Sequence, residues 1–385
     1  MIPYARHSVT EEDIAAVAEV LRSDFLTQGP AVPRFEQALT DLTGATCCVA
    51  VSSATSALHL ACLALGIGPG DVLWTSAITF VASANCAAYC GAGIDFVDIE
   101  PDTYNLSVES LRAKLVDARR RGCLPKVVVT VHMAGQPVEQ ETIWALAREF
   151  GFRVIEDASH ALGAARHGEA VGSCRWSDIT VFSFHPAKII TTGEGGAALT
   201  NDDELGWRMS LLRTHGITRD PVRMHQLLPG PLDYEQIDLG WNYRMTDLQA
   251  ALGLSQLSRV ESLVDRRNAL ADRYNDLLAG TPLQLPTVRA ENRSAFHLYI
   301  VRLGPAAKRT QREVAIALRE RGIGVSLHYP PVHLQPYYRE RGFTAGSLTR
   351  AEQYGSDALT LPLYPALQDV EQHFVAEELA RALEA

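Results

Sequence analysis

Between Leu42 and Ile94 the chain carries a single Asp, Glu, Lys or Arg, namely Asp71, and this scarcity of charge limits its possible folds more than any other feature. Two uncharged runs, 42–70 and 72–94, have to be buried, either in a bilayer or in a protein core. Ser, Thr, Asn, Gly and Pro break both runs, which suits strands and helices buried inside a large α/β domain and does not suit a membrane span. A chain of 385 residues, 47% of them hydrophobic, has the material for such a core, and one large plus one small domain is expected.

The order of elements points the same way. Residues 10–22 (TEEDIAAVAEVLR) open on a Thr N-cap with acids in the first turn and continue with apolar residues at helical spacing. A turn at Gly29 and Pro30 leads to a helix over 33–43, and Cys47–Val51 reads as a short buried strand before a helix at 57–65. Strands at Asp71–Thr75, Ile94–Asp98 and 126–133 then alternate with helices at 79–90, 107–121 and 138–150, ahead of FRVIEDASHALGA at 152–164. This alternation predicts a doubly wound, mostly parallel sheet, whose ligands sit beyond the carboxyl ends of the strands.

Residues 201–220 turn helical, and 220–240, rich in Pro and polar residues, reads as an extended loop. Thr246 caps a long helix running to 278, and near 281–290 the composition shifts to Pro and Leu. Strands at 297–303 and 323–328 with helices at 310–321 and 368–384 then suggest a small α+β domain. The expected division is therefore a large domain over 1–245, followed by a connecting helix and small domain over 246–385.

A net charge of −10 without a Lys/Arg cluster excludes nucleic acid as a general partner, Arg119, Arg120 and Arg121 reading as a solvated helix end. The opening MIPYARHS has no apolar run of signal-peptide type, so a cytoplasmic protein is expected. Seven cysteines, an odd number without CxxC pairs, fit free thiols and no metal centre.

Chemistry concentrates in VFSFHPAKIITTGEGGAA, residues 181–198. Lys188 stands there among apolar and small residues with no acid within five positions. A desolvated lysine gives up its proton more readily and can act as an amine nucleophile that forms a Schiff base. The glycines at 193, 195 and 196 allow tight turns and close approach. An ordinary loop lysine is the plainer alternative. SSATS at 52–56, between a strand and a helix, leaves backbone N–H groups free for an anion such as phosphate, although it serves equally as a Ser/Thr N-cap. Asp157 and His160 fall at a strand's carboxyl end.

Lys188 in SFHPAKIITTGEGGA, Asp157 in IEDASHALG, Thr55 in SSATSAL and Asn242 in GWNYRMTDLQAALGLSQL together resemble the DegT/DnrJ/EryC1/StrS-type nucleotide-sugar aminotransferases, fold-type I enzymes that use pyridoxal phosphate. The likeness spans nearly the whole chain. It is greatest to the 4-aminotransferases of the pseudaminic acid pathway, through IPY at the start, ITFVASAN at 78–85, histidine in DASHALG and LGLSQL at 252–257. The resemblance implies a mixed, mostly parallel sheet in the large domain. It also implies L-glutamate as amino donor, a UDP-linked 6-deoxy-4-keto-N-acetylhexosamine as acceptor, and a homodimer with composite sites.

Residue by residue, it implies that Lys188 anchors the cofactor and shuttles a proton, and that Asp157 holds the ring nitrogen protonated. The backbone at Ala54 and Thr55, with the Ser183 hydroxyl, would hold the phosphate; Phe80 would stack on the ring and His160 would sit near the ring hydroxyl. Asn242 would reach the phosphate of the neighbouring subunit, while His297, Tyr299, His328 and Tyr329 would line the sugar site. His185 carries no assigned role, and a structural acid or a core Phe are the bland alternatives for Asp157 and Phe80. Other readings are a different nucleotide keto-sugar, such as a deoxythymidine-linked 3- or 4-keto hexose, or a non-catalytic regulatory relative. A dehydratase of the same fold is disfavoured, because such enzymes resemble this chain except for a histidine where Lys188 stands.

Overall fold

The computed structural model describes residues 1–225, 230 and 232–384, so part of the loop read at 220–240 lies outside the described residues. Seven strands form the main sheet: β1 (Cys47–Val51), β2 (Val72–Ser76), β3 (Gly93–Val97), β4 (Val127–Val131), β5 (Arg153–Asp157), β6 (Ile179–Ser183) and β7 (Gly196–Thr200). Their spatial order is β1-β7-β6-β5-β4-β2-β3, parallel from β6 through β3, with β7 antiparallel to both of its neighbours. Strand β4, VVVTV, is buried at every position because helices cover both faces of the sheet. The sheet is thus mixed and mostly parallel, as the fold-type I resemblance implies.

Four helices place the site on this sheet: α1 (Glu11–Leu21), α2 (Ala31–Thr43), α3 (Ala54–Ala64) and α4 (Ala82–Tyr89). Thr10 closes a capping box on α1, as its sequence suggests. Helix α3 begins three residues earlier than its apolar pattern indicates, with Ser53 as N-cap. Helix α4 begins at Ala82, leaving Thr79–Val81 as a turn. Helices α5 (Val108–Arg121), α6 (Gln140–Phe150) and α7 (Asp203–Arg213) complete the cover.

The single long helix expected after Thr246 is two: α8 (Asp247–Leu257) and α9 (Val260–Leu277). The break falls where three side chains converge on the buried Asp13, with Ser255 Oγ at 2.7 Å, Gln256 Nε2 at 3.0 Å and Arg259 Nη2 at 2.6 Å. Helix α8 belongs with the first helices, since the Asp247 carboxylate accepts the amides of Gly29 at 2.8 Å and Ala31 at 2.7 Å at the start of α2. Helix α9 crosses from one core to the next: Val260, Leu263 and Val264 pack with α2 and α8, while Leu270, Ala271 and Tyr274 pack with the C-terminal sheet. No change of core therefore coincides with residues 245 and 246.

That C-terminal sheet joins β8 (Leu283–Gln284), β9 (Tyr299–Leu303) and β10 (Ala358–Leu361), all antiparallel, under α10 (Gln311–Glu320) and the last helix, Asp369–Glu384. The strand expected over 323–328 is reduced to two isolated bridges, Ile323 with Ile2 and Ser326 with Thr360. The segment divides its pairing between two neighbours and so builds no continuous ladder. The N-terminal residues are bolted on here: Ile2 donates to the Gly322 carbonyl at 2.8 Å and accepts from Gly324 at 2.7 Å, and the Tyr4 carbonyl accepts from Leu363 at 3.1 Å. Among the described residues no helix is long and apolar enough to cross a membrane.

Candidate active site

The carboxyl ends of β4, β5 and β6 open onto a cavity of about 400 Å³, closed on the far side by residues of the C-terminal sheet region. Ligands of open α/β sheets sit in this position. Lys188 reaches it from the turn that follows β6, its amide bonded to the His185 carbonyl at 2.8 Å. Burial lowers the Lys188 pKa to about 8, an effect that the nearby Asp157 partly opposes. Near neutral pH a useful fraction of this amine is unprotonated, unlike that of an ordinary lysine near 10.4.

Asp157 ends β5 and is buried. Its Oδ2 accepts a hydrogen bond from Ser83 Oγ at 2.6 Å, and its Oδ1 accepts the Ser159 amide at 3.1 Å. Across the cavity lies the N-terminus of α3. Ser53 Oγ accepts the Ser56 amide at 3.1 Å, while the Ala54 and Thr55 amides have no acceptor among the described residues. Strand β7 presses against this helix start: a Cβ on Gly196 would lie 2.4 Å from the Ala54 nitrogen, so only glycine fits. Ser183 pairs with Gly196 across β6 and β7, bringing its hydroxyl to the same corner. The result is a helix N-terminus, two open amides and a hydroxyl, the donor set an anion requires.

The opposite wall is aromatic. Phe80, 55% exposed, faces the cavity and lies 5.9 Å, centroid to centroid, from Tyr329. His160 Nε2 is 3.1 Å from the Tyr329 hydroxyl, and its ring lies 4.4 Å from that of His297. His160 Nδ1 and His297 Nδ1 are buried without a hydrogen-bond partner among the described residues. Burial, reinforced by neighbouring imidazoles and Lys188, holds both rings well below the usual histidine range. Burial and then Lys188 lower His328 to about 4, its Nδ1 being 2.9 Å from Thr360 Oγ1. All three imidazoles are therefore neutral at physiological pH.

Eleven of the twelve residues singled out from sequence can be divided plainly once Tyr299 is set aside: all but Asn242 line this cavity. Tyr299 is a correction. It is buried in the C-terminal core against Tyr274, and its hydroxyl donates to Asn275 Oδ1 at 2.7 Å. His297 occupies a bend ahead of β9, so strand parity does not carry Tyr299 to the same face. Asn242 is exposed and outside the cavity, on a segment that bridges Thr214 and whose next residue, Tyr243, accepts the Ser52 amide at 2.8 Å. Sequence reasoning missed Ser83, a small hydroxyl in an apolar run, and Tyr4, which lines the cavity and packs its ring 5.3 Å from that of His328.

The sequence pattern of the DegT/DnrJ/EryC1/StrS aminotransferase family matches residues 7–380. The chain belongs to this family. Among its relatives, the spore coat polysaccharide biosynthesis protein SpsC of Bacillus subtilis is 38% identical over 372 residues, covering 96% of this chain and 93% of that protein. Spr1654 of Streptococcus pneumoniae, described as a sugar aminotransferase and solved in its PMP form, superposes with a TM-score of 0.91 at 30% identity, over 100% of this chain and 99% of that one. Helicobacter pylori PseC, described as an aminotransferase involved in the biosynthesis of pseudoaminic acid, does so with 0.90 at 31%, over 100% and 99%.

Members of the DegT/DnrJ/EryC1/StrS family are sugar aminotransferases that depend on pyridoxal phosphate, and so is this chain. The residues present fit that cofactor. Open amides at the α3 N-terminus suit its phosphate, the desolvated Lys188 suits its carbonyl, and the buried Asp157 suits its ring nitrogen.

Proposed function

We propose that this aminotransferase moves the amino group of L-glutamate to the 4-keto carbon of a UDP-linked 6-deoxy-4-keto-N-acetylhexosamine, as in a pseudaminic acid type pathway. Keto-sugar nucleotides and glutamate-type donors are the general substrates of the family. The observation that carries the chemistry is Lys188, desolvated to a pKa of about 8 inside a cavity that also holds Asp157. Support for the particular sugar comes from the likeness to PseC and from the four sequence signatures shared with that group.

Pyridoxal phosphate, when bound, supplies a carbonyl that exchanges with amines and an electron sink for the carbanion formed at the substrate carbon. Lys188 Nζ would hold the cofactor between turnovers and then take and return the proton at the reacting carbon, as a general acid–base with a pKa near working pH. Asp157 would favour the protonated ring nitrogen by a charge-assisted hydrogen bond. The Ala54 and Thr55 amides and the Ser183 hydroxyl would hold the phosphate, Phe80 would stack on the ring, and His160 would face the ring hydroxyl. His297, His328 and Tyr329 would meet the sugar. Asn242, exposed on its own subunit, would complete the phosphate site of a partner in a two-fold dimer.

The test is a panel of nucleotide-linked keto-sugars offered with glutamate while 2-oxoglutarate release is followed. A UDP-linked 4-keto-6-deoxy-N-acetylhexosamine is expected to give the highest kcat/KM. Preferential turnover of a deoxythymidine-linked 3- or 4-keto hexose would replace the sugar assignment, and no turnover of any would return the chain to a regulatory role.

A further inference from the structure

Behind Asp157 stands a short row of hydroxyls that the chemistry above does not use. Ser83, with no exposed surface, lies in the first turn of α4 and donates from Oγ to Asp157 Oδ2 at 2.6 Å. A carboxylate only accepts, so the Ser83 proton is committed to it. The alternative acceptor, the Phe80 carbonyl, is farther away at 3.3 Å. Thr79 Oγ1, 1% exposed, stands 2.7 Å from Ser83 Oγ and must then be the donor of that pair. The bonds run one way, from Thr79 to Ser83 to Asp157, and each polarises the next.

We propose that Ser83, backed by Thr79, is a positioning residue for Asp157. Its hydroxyl and the Ser159 amide each occupy one carboxylate oxygen, which fixes the rotation of the group and leaves its remaining acceptor capacity for the cavity. Two donors also hold the charge in place, so the carboxylate stands ready as the acceptor of a charge-assisted hydrogen bond from the cavity. The turn Thr79–Ser83 thereby serves the site twice, with Phe80 facing the cavity and the two hydroxyls setting the acid from behind. This inference rests on the reading that Asp157 holds the ring nitrogen of pyridoxal phosphate.

The experiment compares Ser83→Ala, Ser83→Thr, Thr79→Val and Asp157→Asn in the full chain loaded with pyridoxal phosphate labelled with nitrogen-15 in its ring. Two quantities are read: the rate of the half-reaction with glutamate, and the nitrogen-15 shift of the bound ring, which a merely structural role would not move. A hydrogen bond to a charged group sets the scale, so Ser83→Ala is expected to slow the half-reaction about tenfold or more with little change in glutamate KM. The ring nitrogen shift is expected to move toward that of neutral pyridine, and Ser83→Thr to restore much of both. Thr79→Val keeps the volume and is expected to move both in the same direction by a smaller factor. An unchanged rate and shift in Ser83→Ala, or in Thr79→Val if Ser83→Ala fails to fold, overturns the proposal. If Asp157→Asn is itself harmless, the underlying assignment of Asp157 fails instead.

Discussion

On the sheet side of the cavity the open groups carry charge or dipole, whereas on the C-terminal side they are neutral. Asp157 is pinned by Ser83 and Ser159, and the amides of Ala54 and Thr55 face the cavity from a helix N-terminus. Across from them, His297, His328 and Tyr329 are held uncharged by burial, and His297 Nδ1 has no hydrogen-bond partner among the described residues. A wall of fixed charges suits one charged group held through many turnovers. A wall of neutral donors and acceptors suits a polyhydroxyl ligand that must come and go, because an unpaired buried nitrogen is costly until a ligand satisfies it.

The strongest break of this contrast is Lys188→Ala, which removes both the anchor and the proton carrier while leaving the melting temperature of the apoprotein close to the parent value. Turnover is expected to fall by more than the roughly 10²–10⁴-fold of a lost general acid–base. A variant within about tenfold of the parent would take Lys188 out of the chemistry.

Asn242→Ala tests whether the charged wall extends to a second subunit, as proposed. A lost hydrogen bond to phosphate, about 1.5–3 kcal/mol, weakens cofactor binding about ten- to a hundredfold. Co-refolding with Lys188→Ala chains is expected to restore activity in about a quarter of all sites at limiting cofactor, since about half the dimers are hybrid. A mixture no more active than the mean of its parents means that Asn242 serves its own subunit or nothing.

On the neutral wall, His297→Ala is expected to raise the keto-sugar KM about two- to tenfold, the scale of one neutral hydrogen bond, and to leave the glutamate half-reaction nearly untouched. Equal loss in both half-reactions would show that the two walls are not divided by ligand. Lys188 itself can be titrated in the apoprotein. With its pKa lowered to about 8, it is protonated below that pH and a free amine above it, so acylation should rise through pH 8. An ordinary lysine rises only near 10.4. Labelling of Lys188 that parallels the exposed lysines would mean that the cavity is wetter than its packing implies. The smallest effect is that of Tyr299→Phe, which loses the bond to Asn275 and is expected to cost about 1 kcal/mol of stability with no change in either KM.

Much of this architecture was legible locally. Cys47–Val51 is a strand with the bounds its apolar run indicates, and the Thr10 and Thr246 caps form as their spacing suggests. What stayed hidden depends on partners far away in sequence. The helix break after Leu257 answers to Asp13, the loss of a strand at 323–328 answers to Ile2 and Thr360, and Ser83 gains meaning only beside Asp157. Strand β7 has no reading in the sequence beyond glycines that allow tight turns and close approach, and its first residue, Gly196, does press against the start of α3. Tyr299 misled for a geometric reason: the bend at His297 breaks the alternation that would have aligned them.

Ile2 and Tyr4 are held by Gly322, Gly324 and Leu363, and Tyr4 stands beside His328 in the cavity wall. Contacts between such distant points of a chain form late, because a long loop has to close before they give anything back. During refolding, helix content should therefore recover ahead of cofactor uptake. A protein arrested between those two stages would look folded to circular dichroism and remain colourless.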